Sequence, residues 1–72
     1  MSVWQEIMQE KETIAELVAS GYTIERIIEE LDGDIVRFSR DVGEEESIQE
    51  VRLSTADARK YLGVVLIEQI RK

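Results

Sequence analysis

Apolar residues recur at intervals of three and four from Val3 to Val18: Val3, Trp4, Ile7, Met8, Ile14, Ala15 and Val18, with Lys11 the one polar member of the stripe. That is the period of one helical face, and it predicts a helix over residues 2–20. Ser2 can cap it, with Gln5 three positions on completing a capping-box pattern. Lys11 reads as a snorkelling lysine, its aliphatic stem over Trp4 or Met8 and its ammonium in water. Gly21 ends the helix, because glycine takes the left-handed conformation that a side chain disfavours, and Tyr22 falls where a Schellman-type contact to Leu17 belongs.

Beyond that corner, Ile24, Ile27, Ile28 and Leu31 carry helical spacing. They predict a second, short helix over residues 23–32, capped by Thr23, stapled by Tyr22 against Ile27 and folded back on the first helix. Asp32-Gly33-Asp34 has the composition of a turn. Over residues 35–53, Val36 and Phe38 alternate with Arg37 and Ser39, and Val51 and Leu53 with Glu50 and Arg52. That predicts a hairpin around a loop at residues 43–46. A competing reading places Ile35, Phe38 and Val42 on a third short helix. Glu44, Glu45 and Glu46 read as a solvated tip that discourages edge pairing. The last periodic segment predicts a helix over 54–71, starting at Ser54 or Thr55, with Asp57 placed both to complete a capping box and to favour its positive end, and with Arg71 and Lys72 near its negative end. The expected architecture is a small α+β single domain, 1–72, in the order α-α-β-β-α, its helical corner and C-terminal helix packed with a short antiparallel hairpin.

The C-terminal helix is apolar over more than one face. Projected at 100° per residue, Ala58, Tyr61, Leu62, Val65, Leu66 and Ile70 form the main arc. Gly63, Val64 and Ile67 form a second arc, bordered by Lys60 and Arg71, that so small a chain has little to cover with. A glycine inside a helix costs about 1 kcal/mol relative to alanine, and a close backbone approach is the usual reason to keep one. Gly63, Val64 and Ile67 are therefore the expected self-association residues, at a two-fold helix contact. The alternatives are that the hairpin covers this arc, or that it is an exposed patch for another partner.

Composition sharpens this expectation. A chain of 72 residues buries only about 60% of the surface it exposes when unfolded, so its core is thin. It has no Cys and no His, which removes disulfides, thiolate metal sites and the commonest general base. Oligomerisation is the remaining common remedy for a small scaffold, and a homodimer is expected. No basic leader precedes an apolar run and no stretch reaches the length of a membrane span, so a cytoplasmic, soluble protein is expected. Residues 1–34 hold two cations against nine carboxylates and carry the whole net charge of −7; residues 35–72 are balanced. An acidic half repels nucleic acid and suits a basic partner or simple solubility.

No residue set points to catalysis. The serines have no histidine to pair with, the four glycines stand apart rather than in a phosphate loop, and the carboxylate groups lack the spacing of a calcium loop. No enzyme activity, cofactor or metal is expected.

The Gly21 corner, with Ile27 six positions later, resembles the bihelical unit of helix-turn-helix DNA-binding proteins over about 18 residues. It departs from that pattern at Leu17, where a small residue is usual, and at Glu30, where an apolar one is. The resemblance implies DNA binding through the second helix, yet that helix would offer Glu25, Glu29 and Glu30 against Arg26 alone. A hairpin ribbon using Arg37, Arg40 and Arg52 is a further nucleic-acid route, but nearby carboxylates make salt bridges the expected fate of those arginines. The expected function is a small non-catalytic regulatory or adaptor protein acting through protein–protein contacts. The alternative is an acidic nucleic-acid mimic, in which Glu6, Glu10, Glu16, Glu25, Glu29 and Glu30 form one acidic helical face that occupies a DNA-binding protein.

Overall fold

A computed structural model describes residues 3–71; the Ser2 cap and Lys72 lie outside them. Helix α1 (Val3–Ala19) is followed by strands β1 (Thr23–Glu30), β2 (Gly33–Val42) and β3 (Glu45–Leu53) and by helix α2 (Ala56–Arg71). The strands form an antiparallel meander in the order β1-β2-β3. The class is α+β, with a three-stranded sheet in place of a lone hairpin.

The end of α1 forms as its residues dictate. Gly21 sits at φ +90°, Gly21 N–H donates to Val18 O at 3.0 Å and Tyr22 N–H donates to Leu17 O at 3.0 Å. This is the Schellman pairing, and it closes the helix by satisfying carbonyls that would otherwise be orphaned.

The helix expected over 23–32 does not form. Thr23–Glu30 is a strand paired with β2, so the corner joins a helix to a strand and the helix-turn-helix resemblance fails. Half of TIERIIEE is β-branched, which favours a strand. A bulge between Ile24 and Arg26 explains why the spacing misleads. One extra residue shifts the alternation, so Ile24 and Ile27, three apart, both face the helices. Ile28 lies on the opposite face and Leu31 stands wholly exposed in the two-residue turn to β2, so neither is the inward residue the helical reading required. Thr23 caps nothing; its hydroxyl donates to Ser39 O at 3.4 Å.

The hairpin over 35–53 is present as β2 and β3, and the competing third helix is not. Val42 pairs with Glu45, so the turn contracts to Gly43 and Glu44, with Gly43 at φ +66°.

Both helices pack on one face of the sheet. The core joins Ile14 from α1 with Ala58 and Leu62 from α2, over Tyr22, Ile24, Val36, Phe38 and Leu53. The two helices run in the same direction: Glu10 meets the start of α2, while Val18 further along α1 shares a groove with Val64 and Val65. The other sheet face, with Ile28, Ile35, Arg37, Ile48 and Arg52, has no helix over it among the described residues.

Candidate functional site

Thr55, not Ser54, is the N-cap of α2. Its Oγ1 accepts from Ala58 N–H at 3.3 Å, and Arg59 N–H donates to its carbonyl at 3.2 Å. The carboxylate of a capping box normally comes from the helix's own third residue, which here is Ala58. Glu10 of α1 supplies it instead: Oε1 accepts from Thr55 N–H at 3.0 Å and Thr55 Oγ1 at 2.7 Å, and Oε2 from Ser54 N–H and Oγ at 2.9 Å each. Burial alone would raise the Glu10 pKa, but these four donors outweigh it and hold the carboxyl below its ordinary 4.5. Asp57 thus plays no part in the box expected of it.

The six carboxylates expected on one acidic helical face do not share one. Glu10 is consumed by the clamp. Glu6 and Glu16 lie on α1, whereas Glu25, Glu29 and Glu30 lie on β1, with Glu29 and Glu30 on opposite sides of the sheet. Glu30 accepts from Arg52 Nη2 at 3.3 Å. Of the other hairpin arginines, Arg40 donates to Ser20 O at 2.8 Å and lies 4.7 Å over the Tyr22 ring, and the buried Nε of Arg37 has no hydrogen-bond partner among the described residues. Salt bridging is therefore the fate of Arg52 alone among these three.

Apolar exposure is concentrated on the helices. Of the eleven exposed large hydrophobic side chains among the described residues, seven (Val3, Trp4, Met8, Val18, Val64, Ile67 and Ile70) lie on α1 and α2, so the helical layer, not the open sheet face, is the candidate interaction surface. Val64 is 53% exposed and Ile67 54%, and the hairpin therefore does not cover the second arc of α2. Gly63 lies beside them on the outside of the helix, with nothing within 4 Å of where its Cβ would be. Ile70, expected in the main arc, is 74% exposed.

A groove of about 520 Å³ runs between the helices, walled by Val18 and Tyr22 on one side and Tyr61, Val64 and Val65 on the other. At its foot Gln69 meets the edge of β1. Its Oε1 accepts from Ile24 N–H at 2.8 Å and its Nε2 donates to Ile24 O at 3.0 Å, so one side-chain amide stands in for a neighbouring strand beside the bulge. Tyr22 hydrogen-bonds Ser47 hydroxyl to hydroxyl at 2.7 Å, and that bond, with the Arg40 guanidinium over the ring, lowers the phenol pKa below 10.0.

The periodicity of α1 holds a signal that the expected site leaves out. Its apolar residues span about half the helix circumference, wider than one thin core can use. The structure buries Ile14 and leaves Trp4, Met8 and Val18 outside. No three acidic side chains among the described residues lie close enough to hold a metal ion, and no helix among them is long and apolar enough to cross a membrane.

No protein-family model, curated protein or solved structure matches this chain. The helical layer is therefore the feature on which a function can be argued.

Proposed function

We propose that this chain is a small cytoplasmic, non-catalytic regulatory or adaptor protein that acts through protein–protein contacts, the first of them with a second copy of itself. The observation that carries this reading is the exposure of Val64 and Ile67 beside Gly63 on a helix whose opposite side is already in the core. Two half-exposed aliphatic side chains next to a helical glycine that meets no internal neighbour fit a surface completed by another helix. The absence of local steric need for Gly63 removes an internal reason for a residue that weakens its helix.

Analytical ultracentrifugation across a concentration series tests the proposal. The native chain should sediment as a dimer at micromolar concentration, and Val64→Asp and Ile67→Asp should sediment as monomers with unchanged circular dichroism. Because each copy carries −7, added salt should tighten the dimer by screening repulsion. A native chain that stays monomeric at every concentration would end this reading.

The nucleic-acid mimic is the weaker reading. A mimic needs its carboxylates free and on one surface, and two of the six, Glu10 and Glu30, are engaged internally while β1 divides three of them from α1.

A further inference from the structure

We infer that a second copy also adds to the sheet, β1 edge to β1 edge, antiparallel about a two-fold axis at Ile28; this contact goes beyond the one proposed for α2 and does not depend on it. β1 lies at an edge of the sheet, with β2 on one side and no strand on the other among the described residues. Residues of an antiparallel pair bond alternately to the partner strand and away from it. Gln69 takes both main-chain groups of Ile24, which sits opposite Phe38, so Ile24 faces away from β2. The same phase recurs opposite Val36 and Asp34, whose partners are Ile27 and Glu29. The N–H and C=O groups of those two residues therefore point outward as well, and Gln69, spent on Ile24, does not cover them. An uncovered edge of this kind is a template for another strand.

The side chains select the strand that fits. Arg26, Ile28 and Glu30 share the open sheet face. Antiparallel pairing about Ile28 sets Ile28 against Ile28 and, twice, Arg26 against Glu30 of the other copy. Arg26 gains the partner it lacks: among the described residues it makes no ion pair, and it stands directly opposite Arg37 on β2. Glu30 is able to serve it, because Arg52 bonds Oε1 and leaves Oε2 to accept. Ile28 lies opposite Ile35, so the joined sheets carry an unbroken row of four isoleucines, two from each copy.

Neighbouring registers are worse. An axis at Arg26 or at Glu29 sets that residue against itself, and an axis at Ile27 sets Glu25 against Glu29. The other edge is less suited too: Glu45, Glu46 and Glu50 lie on β3, and its one cation, Arg52, is already bonded to Glu30. A single strand pair is marginal by itself, so the contact forms at higher protein concentration than the micromolar pairing of α2.

Cysteine cross-linking tests the register, since the native chain has no Cys. About the proposed axis, Ile28 faces its own copy in a non-hydrogen-bonded pair, with Cα atoms about 4.5 Å apart, within the range a disulfide spans. Ile28→Cys should therefore cross-link to itself at least ~10-fold faster than Ile48→Cys, because pairing raises the effective thiol concentration. Ile48 is the fair control, 41% exposed against 40% for Ile28 and on the same open face. In the Ile28→Cys background, Arg26→Glu alone and Glu30→Arg alone should each slow the reaction about 10-fold, since each turns two attractive pairs into repulsive ones. Mixing those two charge variants should restore it as a heterodimer, a rescue that damage to the fold would not give. Equal rates for Ile28→Cys and Ile48→Cys, or no rescue on mixing, would overturn the edge pairing and leave the α2 contact standing. Fast cross-linking of Ile28→Cys that persists in Val64→Asp would support the edge pairing whatever becomes of the α2 contact.

Discussion

Glu10 Oε1 accepts hydrogen bonds from both the backbone N–H and the hydroxyl of Thr55, at 3.0 and 2.7 Å, and so completes the N-cap of a helix 45 residues away in the chain. The clamp fixes α1 to the start of α2 on the same sheet face. Bonds to an ionised acceptor are stronger than neutral ones, and Glu10→Ala also leaves donors on Ser54 and Thr55 without it. Glu10→Ala should cost about 2 to 3 kcal/mol and Glu10→Gln about 1 to 2, read from urea unfolding at neutral pH.

The same carboxyl predicts a pH dependence. Its folded pKa is depressed, so its contribution is complete above the unfolded value near 4.5 and is lost as pH falls through the lower folded value. The stability gap between the native chain and Glu10→Gln should therefore be constant above about pH 5.5 and should close in acid below 4.5. A gap that persists at pH 2 would show that the clamp does not depend on the charge.

The glycines should separate by mechanism. At Gly33, with φ +138°, an added Cβ would stand 2.5 Å from Leu53 O, a backbone atom that cannot step aside, so Gly33→Ala should cost more than about 2 kcal/mol. Gly43→Ala meets no neighbour and should cost only the left-handed penalty, about 1 kcal/mol. Gly63→Ala should instead stabilise the monomer by about 1 kcal/mol, because α2 is helical there and the space is open. Thermal melting of the three variants at monomeric concentration checks the order.

Gln69 guards the edge of β1. Gln69→Leu should leave the N–H and C=O of Ile24 without their partner, cost about 1 to 3 kcal/mol and speed amide exchange at Ile24. Gln69→Glu should fare no better when ionised, since a carboxylate accepts from Ile24 N–H but repels Ile24 O. Measured exchange at Ile24 as slow in Gln69→Leu as in the native chain would remove this role.

Tyr22→Phe deletes the Ser47 hydrogen bond and should cost about 1 kcal/mol. Ultraviolet titration should show the Tyr22 phenol ionising below 10.0 in the native chain, a contribution missing from the titration of Tyr22→Phe. Because this folded pKa is depressed, the associated stability appears as pH rises through it.

Local chemistry was enough for several features. The stop at Gly21 needs only a residue tolerant of positive φ and two nearby carbonyls, and it forms as the residues 17–22 require. The helical periods of α1 and α2 and the alternation of Val36 with Phe38 are likewise written in adjacent residues. The excess of apolar circumference on α2 was legible too, and Val64 and Ile67 are exposed as that excess requires.

Three outcomes belong to the tertiary structure. Thr23–Glu30 satisfies a helical spacing and, with one bulged residue, a strand; pairing with β2 chose the strand, and no local pattern records that a partner strand is available. Glu10 is one surface acid among several along the chain, because its four donors lie at positions 54 and 55 and come near only when both helices pack on one sheet face. The division of the α1 stripe into a buried Ile14 and an exposed Trp4, Met8 and Val18 was set by where α2 lies, since a helix periodicity gives the width of an apolar face but not which part of it a neighbour will cover.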